Sequence, residues 1–125
     1  MSEAALQFIS DLMESMGIPY AFLEWKDKPP EDYYFVGDYI EEDSPARDEN
    51  GHQQTTFILR GFTRKSRSML EQAKAKIEKT VRKTAILEDG SGIAVFYETG
   101  NHVRTGDAEL KSIKINLSVQ EWRVS

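Results

Sequence analysis

Residues 53–81 read QQTTFILRGFTRKSRSMLEQAKAKIEKTV, and a change of hydrophobic period inside this stretch decides the fold. Up to Thr63 the alternation is that of a strand: Phe57 and Leu59 point one way, Ile58 and Phe62 the other, and the threonines are β-branched. From Leu70 onward the period is helical, because Leu70, Ala73, Ile77 and Val81 recur at spacings of three and four and share one stripe. A stripe of that kind needs a sheet to cover it. Ser68 followed by Glu71 fits a capping box, which predicts a helix starting near Met69.

Upstream, Ser2 is a candidate N-cap for a first helix carrying Leu6, Ile9, Leu12, Met13 and Met16, with Gly17 and Pro19 ending it. Residues 20–25 alternate as a strand until Pro29 and Pro30 break the pattern. Residues 33–40, rich in aromatic and β-branched side chains, predict a second strand with Gly37 marking a bulge or a close approach. Residues 41–52 are acidic and aperiodic, and read as a long mobile loop joining two strands of a hairpin. Downstream, residues 84–87 and 93–97 flank the turn signal Glu-Asp-Gly-Ser-Gly, and residues 98–109 read as another loop. In the last segment, residues 110–124, Ile113, Ile115, Leu117 and Val119 alternate with polar residues in the clearest half-buried strand of the chain. The order predicts an α+β fold: a mainly antiparallel sheet of five to six strands with two helices packed on one face.

A chain of 125 residues, 39% hydrophobic, suits a single domain over residues 1–125, since about two thirds of its unfolded surface can be buried. With no cysteine, disulfides, thiolate zinc sites and thiol catalysis are excluded. No apolar run approaches the roughly 20 residues of a membrane span, and no secretory signal pattern opens the chain, so it reads as soluble and untargeted. The net charge of -5 argues against sequence-independent nucleic-acid binding by the whole surface. The charge is polarised: residues 24–50 hold ten acids and three bases, residues 64–83 two acids and eight bases.

Catalytic chemistry is not indicated. His52 and His102 fall in predicted loops with no second ligand at metal spacing. Glu41, Glu42 and Asp43 lack the pattern of a calcium loop, and Gly90, Ser91, Gly92 and Gly100 fit neither a phosphate loop nor a nucleophile elbow. No enzyme activity, metal or cofactor is expected. Arg64, Lys65 and Arg67 stand just before the predicted helix, where the macrodipole disfavours cations, so an acidic partner is expected. A phosphate backbone, a carboxylate cluster of this chain, or one of a neighbouring copy could each supply it. Trp25, Tyr33 and Trp122 are candidate interface anchors or core residues.

Pro-Tyr opening the first strand, Pro-Pro-Glu-Asp-Tyr-Tyr-Phe-Val-Gly opening the second, Thr-Phe-Ile-Leu-Arg-Gly-Phe before a helix, and a long alternating terminal strand together form a pattern. It resembles that of the tail-terminator and tail-completion (head-tail joining) proteins of long-tailed bacteriophages and prophages. The resemblance runs from the first helix to Gln120-Glu-Trp-Arg-Val; residues 98–109 and the strands around Ile86 and Val95 depart from it. It implies an α+β structural protein without enzymatic activity that assembles as a ring, typically hexameric. Such a ring caps the tail tube and joins it to the head. The implied partners are further copies of the chain, the tail-tube protein and a head-completion or connector protein, with DNA only passing through the lumen and no membrane. The implied place is the virion, and the host cytoplasm during assembly. For such a ring the subunit-interface candidates are Arg64, Lys65 and Arg67 at the basic pole, Glu41, Glu42 and Asp43 at the acidic pole, and Trp25. The alternative is a small nucleic-acid-binding α+β module using residues 64–83, where Lys74, Lys76, Lys79, Arg82 and Lys83 extend the basic character.

Overall fold

The computed structural model describes residues 1–41 and 53–122, and in it the switch from strand to helix falls where the periodicity places it. Helix α1 (Glu3–Ser15) is followed by β1 (Tyr20–Phe22), β2 (Tyr34–Glu41) and β3 (Gln53–Thr63). Helix α2 (Arg67–Thr80) leads into β4 (Arg82–Ile86), β5 (Gly92–Val103) and β6 (Lys111–Trp122). The strands form one sheet in the order β1-β2-β3-β6-β5-β4. Every neighbouring pair is antiparallel except β1 and β2, which run parallel. The fold is α+β.

Period-two alternation sorts the sheet residues onto two faces. Phe35, Phe57, Leu59, Ile93, Val95, Ile113, Ile115, Leu117 and Val119 share one core with Ile9 and Met13 of α1 and Leu70, Ala73 and Ile77 of α2. Ile58 and Ala94 are just as buried, yet stand outside that core because their side chains project from the opposite face. Among the described residues no helix packs on this second face, called here the open face.

One cross-strand row explains how the core packs so densely. Gly61 lies opposite Phe35 on one side and Ile113 on the other. A Cβ on Gly61 would stand 2.6 Å from Phe35 Cζ and 3.0 Å from Ile113 Cγ2, so the absent side chain is the space the ring fills.

Several local expectations are corrected. Helix α2 begins at Arg67, with Ser66 as N-cap: its hydroxyl accepts from Ser68 N at 3.2 Å. Ser68 therefore sits inside the first turn, and Glu71 turns to His102 at 2.5 Å instead of reaching back to a cap. Val81 is the C-cap but is still fully buried. Strand β1 ends at Phe22, because Leu23 adopts a positive φ of 67° and Trp25 folds back to donate from Nε1 to Phe35 O at 3.2 Å. Strand β5 runs on to Val103 through a bulge between Tyr97 and Thr99, so residues 98–103 are strand where a loop was expected. His102 consequently sits on the helix-covered face beside α2. Of the acidic segment 41–52, Glu41 ends β2 and contacts the α-amino group of Met1; Glu42, Asp43 and His52 lie outside the described residues.

Helix α1 forms as its sequence predicts, Ser2 Oγ accepting from Ala5 N at 3.1 Å and Gly17 taking φ 69° past the C-cap. A feature not anticipated lies beneath its start. Glu121, in the apolar register of β6, is buried, and its Oε1 accepts from Ser2 Oγ at 2.8 Å. A carboxylate there meets the positive end of the helix dipole. The signal was present in the sequence as a charge continuing the run Ile113, Ile115, Leu117, Val119.

Candidate assembly surface

The basic turn between β3 and α2 finds its acidic partners within the chain. Arg64 Nη1 donates to Asp107 Oδ2 at 3.1 Å, and Lys65 Nζ to Asp32 Oδ1 at 2.6 Å. The hydrogen bond and charge of Asp32 raise the Lys65 pKa. Asp107 is held below the usual carboxylate range, first by the Glu109 backbone N–H and then by Arg64. These pairs are exposed, so they stabilise little but fix three loops against one another. Arg67, at the first helical position, has no ion-pair partner among the described residues.

Trp25 is half-buried. Its ring meets Tyr34 edge-on with centroids 6.1 Å apart, and Tyr34 in turn packs on Phe62 at 5.4 Å. Beside this trio an open groove of about 310 Å³ is lined by Lys28, Pro29, Pro30, Phe62, Arg64 and Leu110 among others. Tyr33 packs edge-on against Phe35, and burial, then Asp32, raises its pKa. Trp122 lies over Gly92, where a Cβ would come within 2.2 Å of the indole. Tyr20 has its hydroxyl buried without a hydrogen-bond partner among the described residues, and burial drives its pKa far up.

The rim of the open face carries most of the large exposed apolar side chains, while Ile58, Ala94, Ser112 and Ser118 on the same face are buried. Ile40 (57% exposed), Ile86 (64%), Phe96 (40%) and Val103 (42%) all project from it, by their register with Thr56, Gly92, Ser118 and Ser112. Aromatic Tyr34 and Phe62 close one end. At its centre Arg60 of β3 and Lys114 of β6 stand directly opposite each other. Like charges in that position repel. Both are half-buried, and neither has an ion-pair partner among the described residues. Asp38, the carboxylate nearest in register, accepts from the Tyr39 N–H at 2.7 Å. Asn116, on the same face, has a buried Oδ1 without a partner among the described residues.

Helix α1 presents the reverse character on the other side of the molecule. Its outer stripe holds Glu3, Gln7, Asp11 and Glu14, all exposed, and the helix contains no basic residue. Sequence reasoning missed both features: it placed the poles in residues 24–50 and 64–83 and did not weigh α1 or the two lone cations in strands. A helix with three acids and no base was the available signal.

Among the described residues there is no group of three or more His, Cys, Asp or Glu able to hold a metal ion, and no helix is long and apolar enough to cross a membrane. The His102–Glu71 pair is half-exposed and joins β5 to α2. A solved structure matches 98% of this chain and 93% of its own with a TM-score of 0.69 and 21% sequence identity, which shows a shared fold. No family model and no curated protein matches the chain.

Proposed function

We propose that this protein is a structural virion-assembly subunit of a long-tailed phage or prophage, one that associates with copies of itself into a ring terminating the tail tube and joining it to the head. The observation that carries the reading is the open face: a side of a six-stranded sheet on which no described helix packs, with large apolar side chains exposed at its rim and with Arg60 and Lys114 side by side without an ion-pair partner among the described residues. A face of that composition suits coverage by another protein surface. The order of elements and the motifs that resemble the tail-terminator family supply the kind of assembly. In this reading the partners are further copies, the tail-tube protein and a head-completion protein, and the protein resides in the virion after assembly in the host cytoplasm.

The competing nucleic-acid module relies on residues 64–83, and Arg64 and Lys65 are already engaged by Asp107 and Asp32. The test is light scattering and electron microscopy of the purified protein, alone and with tail tubes. Rings, or capped tubes, are the expected result. Tight, salt-dependent DNA retention with no self-association under either condition would favour the nucleic-acid reading.

A further inference from the structure

We infer that copies of this chain pack head to tail, the open sheet face of one covering helix α1 of the next, with Arg60 and Lys114 set against Asp11 and Glu14. The inference rests on the ring-subunit reading only in requiring that copies associate; it names the two surfaces that meet.

Charge chooses the pair. The open face has two cations forced together by register, and burial by a neighbour would make their repulsion worse unless that neighbour brought carboxylates. Helix α1 offers them: Glu3, Asp11 and Glu14 along one exposed stripe with no cation of its own. Among the described residues Asp11 accepts from Gln7 Nε2 of the same stripe at 2.8 Å. Helix α2, also on the covered face, is unsuitable, since Arg67, Lys74, Lys76 and Lys79 would add to the repulsion.

Layer architecture agrees with charge. A sheet with helices on one face completes itself by receiving a helix on the other, and here the receiving face has Ile40, Phe96, Ile86 and Val103 around its rim. Because the two surfaces lie on opposite sides of one subunit, the contact is heterologous and repeats from copy to copy. It yields a closed ring or an open filament, not a two-fold dimer.

The chain has no cysteine, so single-cysteine variants report the contact cleanly. Lys114→Cys and Gln7→Cys proteins, mixed and oxidised, are expected to form the mixed disulfide as the main product. A control mixture of Arg67→Cys with Asp27→Cys should not. In parallel, Arg60→Glu/Lys114→Glu and Asp11→Lys/Glu14→Lys proteins should each self-associate at least about tenfold more weakly than wild type, and an equimolar mixture should recover association because each supplies the other's complement. All four positions of these reversals are solvent-accessible in part, and unchanged circular dichroism will establish that the variants fold.

Rings that form while the 114/7 mixture stays uncrosslinked and the mixed reversals fail to recover would overturn the surface assignment and leave the ring reading intact. Cross-linked open filaments would uphold the assignment and overturn ring closure. Absence of any interchain product and of any self-association would overturn both. Oligonucleotide retention abolished by Arg60→Glu/Lys114→Glu, without cross-linking, would give the open face to a polyanion and likewise overturn the inference.

Discussion

Gly61→Ala is a sharp test of the packing across the sheet. The new methyl would stand 2.6 Å and 2.7 Å from Phe35 Cζ and Cε2, and 3.0 Å from Ile113 Cγ2. Phe35 and Ile113 are both fully buried, so neither can yield without moving the core that joins the sheet to both helices. Overpacking of this kind costs about 1–3 kcal/mol. With a urea dependence of about 2 kcal/mol per molar for a domain of this size, the unfolding midpoint should fall by about 1 M. Phe35→Leu removes the ring edge that the methyl would strike, at a cost of its own of about 1–2 kcal/mol. If the clash is real the two changes are coupled. The double variant should then be more stable than the sum of the singles predicts by about 1 kcal/mol or more. Urea unfolding followed by circular dichroism on all four proteins measures this cycle. An unshifted midpoint for Gly61→Ala, or strict additivity in the double variant, would refute the account of the Phe35–Gly61–Ile113 row.

Three further outcomes are expected. Ser66→Ala should cost about 1 kcal/mol by removing the α2 cap, and Ser68→Ala clearly less; urea midpoints in the reverse order would return the cap to Ser68. Ile77→Ala, at a fully buried position in the stripe that meets the sheet, should cost about 2–4 kcal/mol, and an unchanged midpoint would reject the assigned helix face. Because the folded-state pKa of Asp107 is depressed, its contribution is complete above the ordinary carboxylate range and is lost as pH falls through the folded value. The amide shift of Glu109, which donates to Asp107 Oδ1 at 3.0 Å, should therefore titrate below the midpoint of a free aspartate and lose that step in Asp107→Asn. A midpoint at or above the free value would contradict the bonding described.

The candidate surface was legible only in part. The expected acidic partners of Arg64 and Lys65 exist, but which carboxylates they would be depended on three loops converging: Asp32 is 33 positions from Lys65 and Asp107 is 43 from Arg64. Trp25 reads in the sequence as a candidate anchor, and the fold seats it against Tyr34 and the Phe35 carbonyl. Arg60 and Lys114 were invisible as a pair. Each looks like an ordinary polar residue on an alternating strand, and only the β3–β6 register brings them face to face.

Local periodicity determined a great deal by itself. It gave both helices, the faces of β3 and β6, the β4–β5 hairpin around its Gly-Ser-Gly turn and the α+β class, because apolar spacing and capping residues are properties of neighbouring positions along the chain. What the tertiary structure alone decided is adjacency. Strand β6 inserts between β3 and β5, β1 runs parallel to β2, and β5 continues through a bulge past the residues that read as a loop. Backbone hydrogen bonds between strands do not depend on which side chains the strands carry, so alternation says which face a strand buries and not which strand lies beside it. That choice is made by the whole core at once, and with it the position of every residue on the open face.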